Sequence, residues 1–160
     1  MMFGAYGKYR TFHHQTYYRS FGREMADRLI EFPLINNGAF AMRRDHPVWG
    51  AWRDAYFKTM QTTPLIHAEQ ATLNLVVHNG GENLKPHMLP ALANWVCGQA
   101  LPLWDAPRKK LVETNLPHDA LGMVHMTGLH TKDMELSTVD GRRITMSLTY
   151  SAVRALCERT

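Results

Sequence analysis

At 160 residues, with 45% hydrophobic and 20% charged positions, the chain suits one globular domain with a buried core, which excludes a disordered chain. The formal charge of +4 is scattered and clusters only in Arg43-Arg44, Lys109-Lys110 and Arg142-Arg143. Nucleic acid is therefore not an expected partner, whereas small phosphorylated ligands suit the mild positive charge. No apolar run approaches the length of a membrane span.

Residues 1–24 are rich in Tyr, His, Gly and Arg with poor periodicity, so they read as a loop or a lip around a site. This opening carries no signal-peptide core. EMADRLIEF, residues 24–32, is a plausible short helix. In PLINNGAFAMRRD, residues 33–45, Phe40 and Met42 alternate with Ala39 and Ala41, which predicts a strand entered through an Asn-Asn-Gly turn. HPVWGAWRDAYFKTMQ follows Asp45 and carries Pro47 near its first turn. Its Val48, Trp49, Trp52, Tyr56 and Met60 make one apolar helix face, expected to be core rather than a stacking platform. The next helix is expected to start with Thr63 as N-cap and Pro64 as first residue, and to end at Gly80 or Gly81. Residues 80–95 are loop-like, broken by Pro86 and Pro90. Trp95 and Val96 fit a short strand, LPLWDAPRKKLVE is irregular, and ALGMVHMTG is a short strand ending in a Gly turn. MELSTVDGRRITMSL is a hairpin candidate turned by Asp140-Gly141, and YSAVRALCER closes the chain as a helix. Cys97 and Cys157 lie far apart with no CxxC, which favours a reducing compartment, with one disulfide as the alternative. The fold class is α/β, or α+β-like. Strands so few and short for this length point to part of a larger fold.

PLIHAEQATLNLVV, residues 64–77, poses a chemical question. At roughly 100° per residue, Leu73, Val76 and Val77 fall within about 80° of Ile66, and Glu69 and Gln70 fall in the same sector. A carboxylate on an apolar face costs several kcal/mol unless it is paired. Either Glu69 meets an Arg, or the face is wetter than the pattern suggests, or it lines a polar cavity whose ligand supplies the partners.

Other candidates are weaker singly. His125 near a strand end can ligate a metal or be a satisfied structural residue. Gly128 would let backbone N–H groups approach a phosphate, and Lys132 would neutralise its charge. Asn36-Asn37-Gly38 is a turn signal, although Asn amides also suit sugar hydroxyls. The His67-x-Glu69 pair lacks the downstream PCxxC of zinc deaminases, and His13-His14 are adjacent and point apart if extended. Trp95 and Trp104, in loop-like sequence, could stack on a sugar ring. There is no GxSxG, P-loop or GxGxxG.

Taken in order, INNGAF, EQATLN, LPALANW and HMTGLHTK resemble the second half of the retaining glycosyltransferases of GT-A fold, the group with glycogenin and the lipopolysaccharide galactosyltransferases. The resemblance spans about residues 30–133. It implies that Asn36, Asn37 and Gly38 face the transferred sugar, with Glu69 holding its hydroxyls and Gln70 near the anomeric carbon. Asn94 and Trp95 would also contact substrate. His125 would bind a divalent metal, Mn2+ or Mg2+, and Gly128 and Lys132 would grip the diphosphate, with His130 sharing that role. The implied partners are a nucleotide-diphosphate sugar donor and a glycan or glycolipid acceptor, and the implied location is cytoplasmic or peripheral to a membrane. Residues 134–160 would be an extension of hairpin and helix.

The chain departs from that pattern in three ways. The acid is Glu69 where Asp is usual. Lys132 stands one place late and is followed by Asp133. No Asp-x-Asp metal motif occurs anywhere in the 160 residues, so the chain is not expected to transfer sugar by itself. A non-catalytic carbohydrate- or nucleotide-binding module of the same ancestry is the alternative, with a His-rich metallohydrolase further off.

Overall fold

The computed structural model describes residues 2–80, 84, 86–126 and 133–158, with residues 2–8 in backbone only. The chain is a mixed α/β protein with short sheets and flanking helices. It divides into two compact units, Met1–Met88 and Leu89–Thr160.

The first unit is helical: α1 (Met2–Phe21), α2 (Arg23–Leu29), α3 (Val48–Thr62) and α4 (Ala68–Asn79). The loop expected over residues 1–24 is thus a helix of 20 residues. Its organising signal is a ring every four residues, Tyr9, His13, Tyr17 and Phe21, which a helix lays along one face. Tyr17 is buried with Ala26, Leu29 and Ala71, and Phe21 packs against that cluster. Gly22, at φ 83°, then turns the chain into α2 while its N–H reaches the Tyr18 carbonyl at 3.0 Å.

The strand predicted at residues 39–42 does not form. Asn37 and Gly38 make the expected turn, but the stretch after it has no strand partner among the described residues. Phe40 instead lies against Trp49 and Trp52 of α3, with ring centroids 5.9 and 5.8 Å away. α4 begins at Ala68 rather than Pro64, with His67 at its N-cap, and ends at Gly80 as expected. Ile66 therefore precedes the helix and is 87% exposed. The buried stripe of α4 is Ala68, Ala71, Thr72, Leu73 and Asn74.

The second unit holds three two-stranded sheets. β1 (Trp95–Val96) pairs in parallel with β4 (Val124–His125), in the register Val96 to His125. β2 (Leu103–Asp105) and β3 (Lys110–Val112) form an antiparallel hairpin where the sequence suggested irregular chain. Its turn is closed by Asp105, which accepts from both the backbone N–H and the guanidinium of Arg108. β5 (Met134–Ser137) and β6 (Arg143–Met146) form the expected hairpin, with Gly141 of the turn at φ 84°. Cys97, Trp104, Leu111, Leu136, Met146 and Leu148 make the core. The last helix, α5 (Tyr150–Glu158), sets Val153, Leu156 and Cys157 against it. Both cysteines are free, and the Cys157 thiol donates to the Lys109 carbonyl at 3.2 Å, so the disulfide alternative falls away. No described helix is long and apolar enough to cross a membrane.

Candidate functional site

Asn74, buried in α4, anchors the Asn-Asn-Gly segment. Its Oδ1 accepts the Ile35 N–H, and its Nδ2 donates to the carbonyls of Ile35 and Gln70, each at 2.8–2.9 Å. One side chain thus replaces the ladder partner that residue 35 lacks, and the predicted Asn36–Gly38 turn lies against the helix carrying Gln70. Asn36 Oδ1 accepts the Gly38 N–H at 2.7 Å, an Asx turn. Asn37 sits half-buried in the same turn.

Tyr9 of α1 completes this polar group, signalled in the sequence only by the four-residue spacing of the rings on α1. Burial raises the Tyr9 phenol above its ordinary value, while the side-chain amides of Gln70 and Asn36 meet its oxygen and oppose that shift. A phenol and two amides together offer both donors and acceptors, the inventory that a polyhydroxylated ring requires.

Glu69 and Gln70, expected on one face, serve different neighbours. Gln70 meets Tyr9, whereas Glu69 lines a cleft of about 200 Å³ with Trp49, Trp52, Arg53 and Tyr56 of α3. The Glu69 carboxylate has no ion pair or hydrogen bond among the described residues, since Arg53 is engaged with Asp54 at 2.8 Å. The structural alternative of a buried Glu–Arg pair is therefore not realised. The aromatic residues are not the closed core that was expected, because Trp49 is 39% exposed.

Beside α4 lies a further group of rings. His13 is buried, touches Tyr9 and Phe12 edge-on, and has an Nε2 atom with no partner among the described residues. Burial, with His67 nearby, lowers its pKa to about 4. His67 itself caps α4 and meets Phe12 at 5.1 Å. His14 instead pairs with Asp27 at 2.7 Å, so the two adjacent histidines do point apart.

In the second unit Asn94 immediately precedes β1 and His125 lies on β4. The register sets Val96 opposite His125, and alternation places Asn94 on the same side as Val96. Trp95, Cys97, Val124 and Met126 take the other side, towards the core. Asn94 Oδ1 and His125 Nδ1 are both buried without a partner among the described residues. Buried polar atoms of this kind are ordinarily met by a water, an ion or a ligand. Trp95 donates its N–H to the Ala100 carbonyl at 2.7 Å and packs on the core, and Trp104 is buried, so both are structural here. Gly128, His130 and Lys132 lie outside the described residues.

The free Nδ1 of His125 suits a metal, but among the described residues no three His, Cys, Asp or Glu side chains come together to hold an ion. Comparisons with protein-family models, curated proteins and solved structures returned no match.

Proposed function

We propose that this chain is the acceptor-side half of a retaining glycosyltransferase of GT-A type. The donor would be a nucleotide-diphosphate sugar and the acceptor a glycan or glycolipid. The observation that carries the reading is that the first two motif segments dock, INNG being held on EQATLN by Asn74. LPALANW runs beside residues 122–126, which lead into the fourth, with Leu92 accepting from Gly122 and Trp95 donating to Met123.

In this reading Asn36 and Tyr9 hold the donor sugar beside Gln70, and Glu69 accepts sugar hydroxyls. A neutral amide is a poor nucleophile but can stabilise an oxocarbenium-like centre by its carbonyl dipole. Retention then proceeds by departure and attack on the same face rather than by two displacements. By resemblance alone His125 would be this chain's ligand to Mn2+ or Mg2+, which would supply charge stabilisation on the departing diphosphate. Gly128, His130 and Lys132 are assigned to the phosphates by resemblance alone.

The absence of Asp-x-Asp from the 160 residues favours the second reading, a module that binds carbohydrate or nucleotide without transfer. Saturation-transfer NMR with a panel of nucleotide-diphosphate sugars tests the shared step. Transfer to sugar-ring protons is expected, lost in Gln70→Ala and Asn36→Ala and kept in Tyr18→Ala, which alters an exposed ring of α1. Absence of binding, or binding indifferent to Gln70, overturns the reading. Sugar transfer by the isolated chain would remove the non-catalytic alternative.

A further inference from the structure

We propose that Asn79 is a site of spontaneous deamidation, and that Asn37, in the same Asn-Gly dipeptide, is guarded from it by the Asx turn of Asn36. This modification is independent of the carbohydrate reading.

An asparagine is at risk where the backbone nitrogen of the next residue can reach its side-chain Cγ. A side chain on that next residue crowds the approach, so glycine is the permissive neighbour. Asn37-Gly38 and Asn79-Gly80 are the two such pairs in the 160 residues, since the other asparagines precede Asn, Leu or Trp. In the reaction the Gly nitrogen gives up its proton and bonds to Cγ. The Cγ–Nδ2 bond breaks, and Nδ2 leaves as ammonia with that proton. Water then opens the cyclic imide at either carbonyl, to aspartate or to isoaspartate. One water is consumed and one ammonia released, and nothing is oxidised or reduced.

The two Gly nitrogens are held differently. The Gly38 N–H donates to Asn36 Oδ1 at 2.7 Å, and Asn37 is half-buried. A proton engaged in a hydrogen bond is harder to remove, and the bond to Asn36 must break before the nitrogen can turn to Cγ. Gly80 follows the last residue of α4, and its N–H makes no hydrogen bond among the described residues. The residues that end α2 and α3 are bonded by contrast, Ile30 to the Ala26 carbonyl and Thr63 to that of Thr59.

Asn79 and Gly80 are also exposed to the water that the second step consumes. Asn79 Nδ2 reaches Met25 Sδ at 3.5 Å, and a thioether is a weak acceptor. A helical backbone at Asn79 opposes ring closure, but the end of a helix frays at little cost in free energy, so only the last turn need open. The product sets a carboxylate against the negative end of the α4 dipole. Modification therefore loosens the end of the helix that carries Asn74 and Gln70, while the guarded turn keeps its neutral amide.

The test incubates the full chain in mildly alkaline buffer at physiological temperature and follows both sites by peptide mass spectrometry, with a parallel sample unfolded in guanidinium chloride. In the native chain Asn79 is expected to convert faster than Asn37 by roughly two- to tenfold, the factor that one ordinary hydrogen bond confers. In the unfolded sample the two rates should converge. Asn36→Ala is expected to raise the rate at Asn37 and leave that at Asn79 unchanged. Circular dichroism reports whether this variant folds, and the comparison of native with unfolded chain decides the question if it does not. Asn37 converting as fast as Asn79 in the native chain, a ratio of rates unchanged by unfolding, or an Asn79 that converts only when unfolded overturns the proposal.

Discussion

His13 is buried among Tyr9, Phe12 and Tyr17, with His67 close enough to oppose a second positive charge. Its pKa of about 4 lies below the ordinary 6.5, so between these values the unfolded chain holds a proton that the folded chain refuses. Stability from this residue is full above pH 6.5 and drains as the pH falls towards 4. The loss is on the order of 3 kcal/mol. Urea unfolding followed across that window should show the decline, and His13→Phe should flatten it. An equal slope in the variant would place the effect elsewhere, for example at His78, whose pKa burial also lowers. Neither this burial nor the role of Asn74 was legible in the sequence, because both depend on α1 and on residue 35, which lie far from α4 in the chain. What was legible was chemical type. An acid and an amide in an otherwise apolar helix marked the positions where α4 faces something other than core. Glu69 and Gln70 stand about 100° apart on the helix, enough to turn one towards α3 and the other towards Tyr9 of α1, and the start at Ala68 rather than Pro64 removes only Ile66 from the face.

Elements with strong local punctuation were readable and those held by tertiary contacts were not. α3 follows from its periodic rings and the hairpin β5–β6 from Asp140-Gly141. α1 was hidden by its Gly, Tyr and His content, which lowers intrinsic helix preference, although its four-residue ring spacing was there to be counted. The hairpin β2–β3 was hidden because Asp105 and Arg108 make its turn by side-chain bonds rather than by a Gly. Two glycines separate these cases experimentally. Gly50 lies inside α3, and a Cβ there would meet nothing within 4 Å. Gly50→Ala should therefore stabilise by about 0.5–1 kcal/mol, since alanine restricts the unfolded chain and favours the helix. Gly141 also has open space, but its φ of +84° is a conformation that L side chains resist. Gly141→Ala should cost about 1–2 kcal/mol. Thermal unfolding of the pair decides the point: opposite shifts are expected, and shifts of the same sign would show that space rather than backbone conformation governs both.

For the molecule as a whole, the distribution of cores matters more than the count of elements. Tyr17, Ala26, Leu29 and Ala71 form a cluster within the first unit, and Trp104, Leu111, Leu136 and Met146 form another within the second. Residues 86–91, where the units join, are exposed throughout. Extended, exposed chain fits a protease cleft, whereas helix and hairpin must first unfold locally. Limited digestion with a protease of broad specificity should therefore cut first between residues 86 and 91, leaving fragments that end and begin there by mass spectrometry. A first cut inside α3 or between β5 and β6 would mean that stability is divided along a different line from the packing.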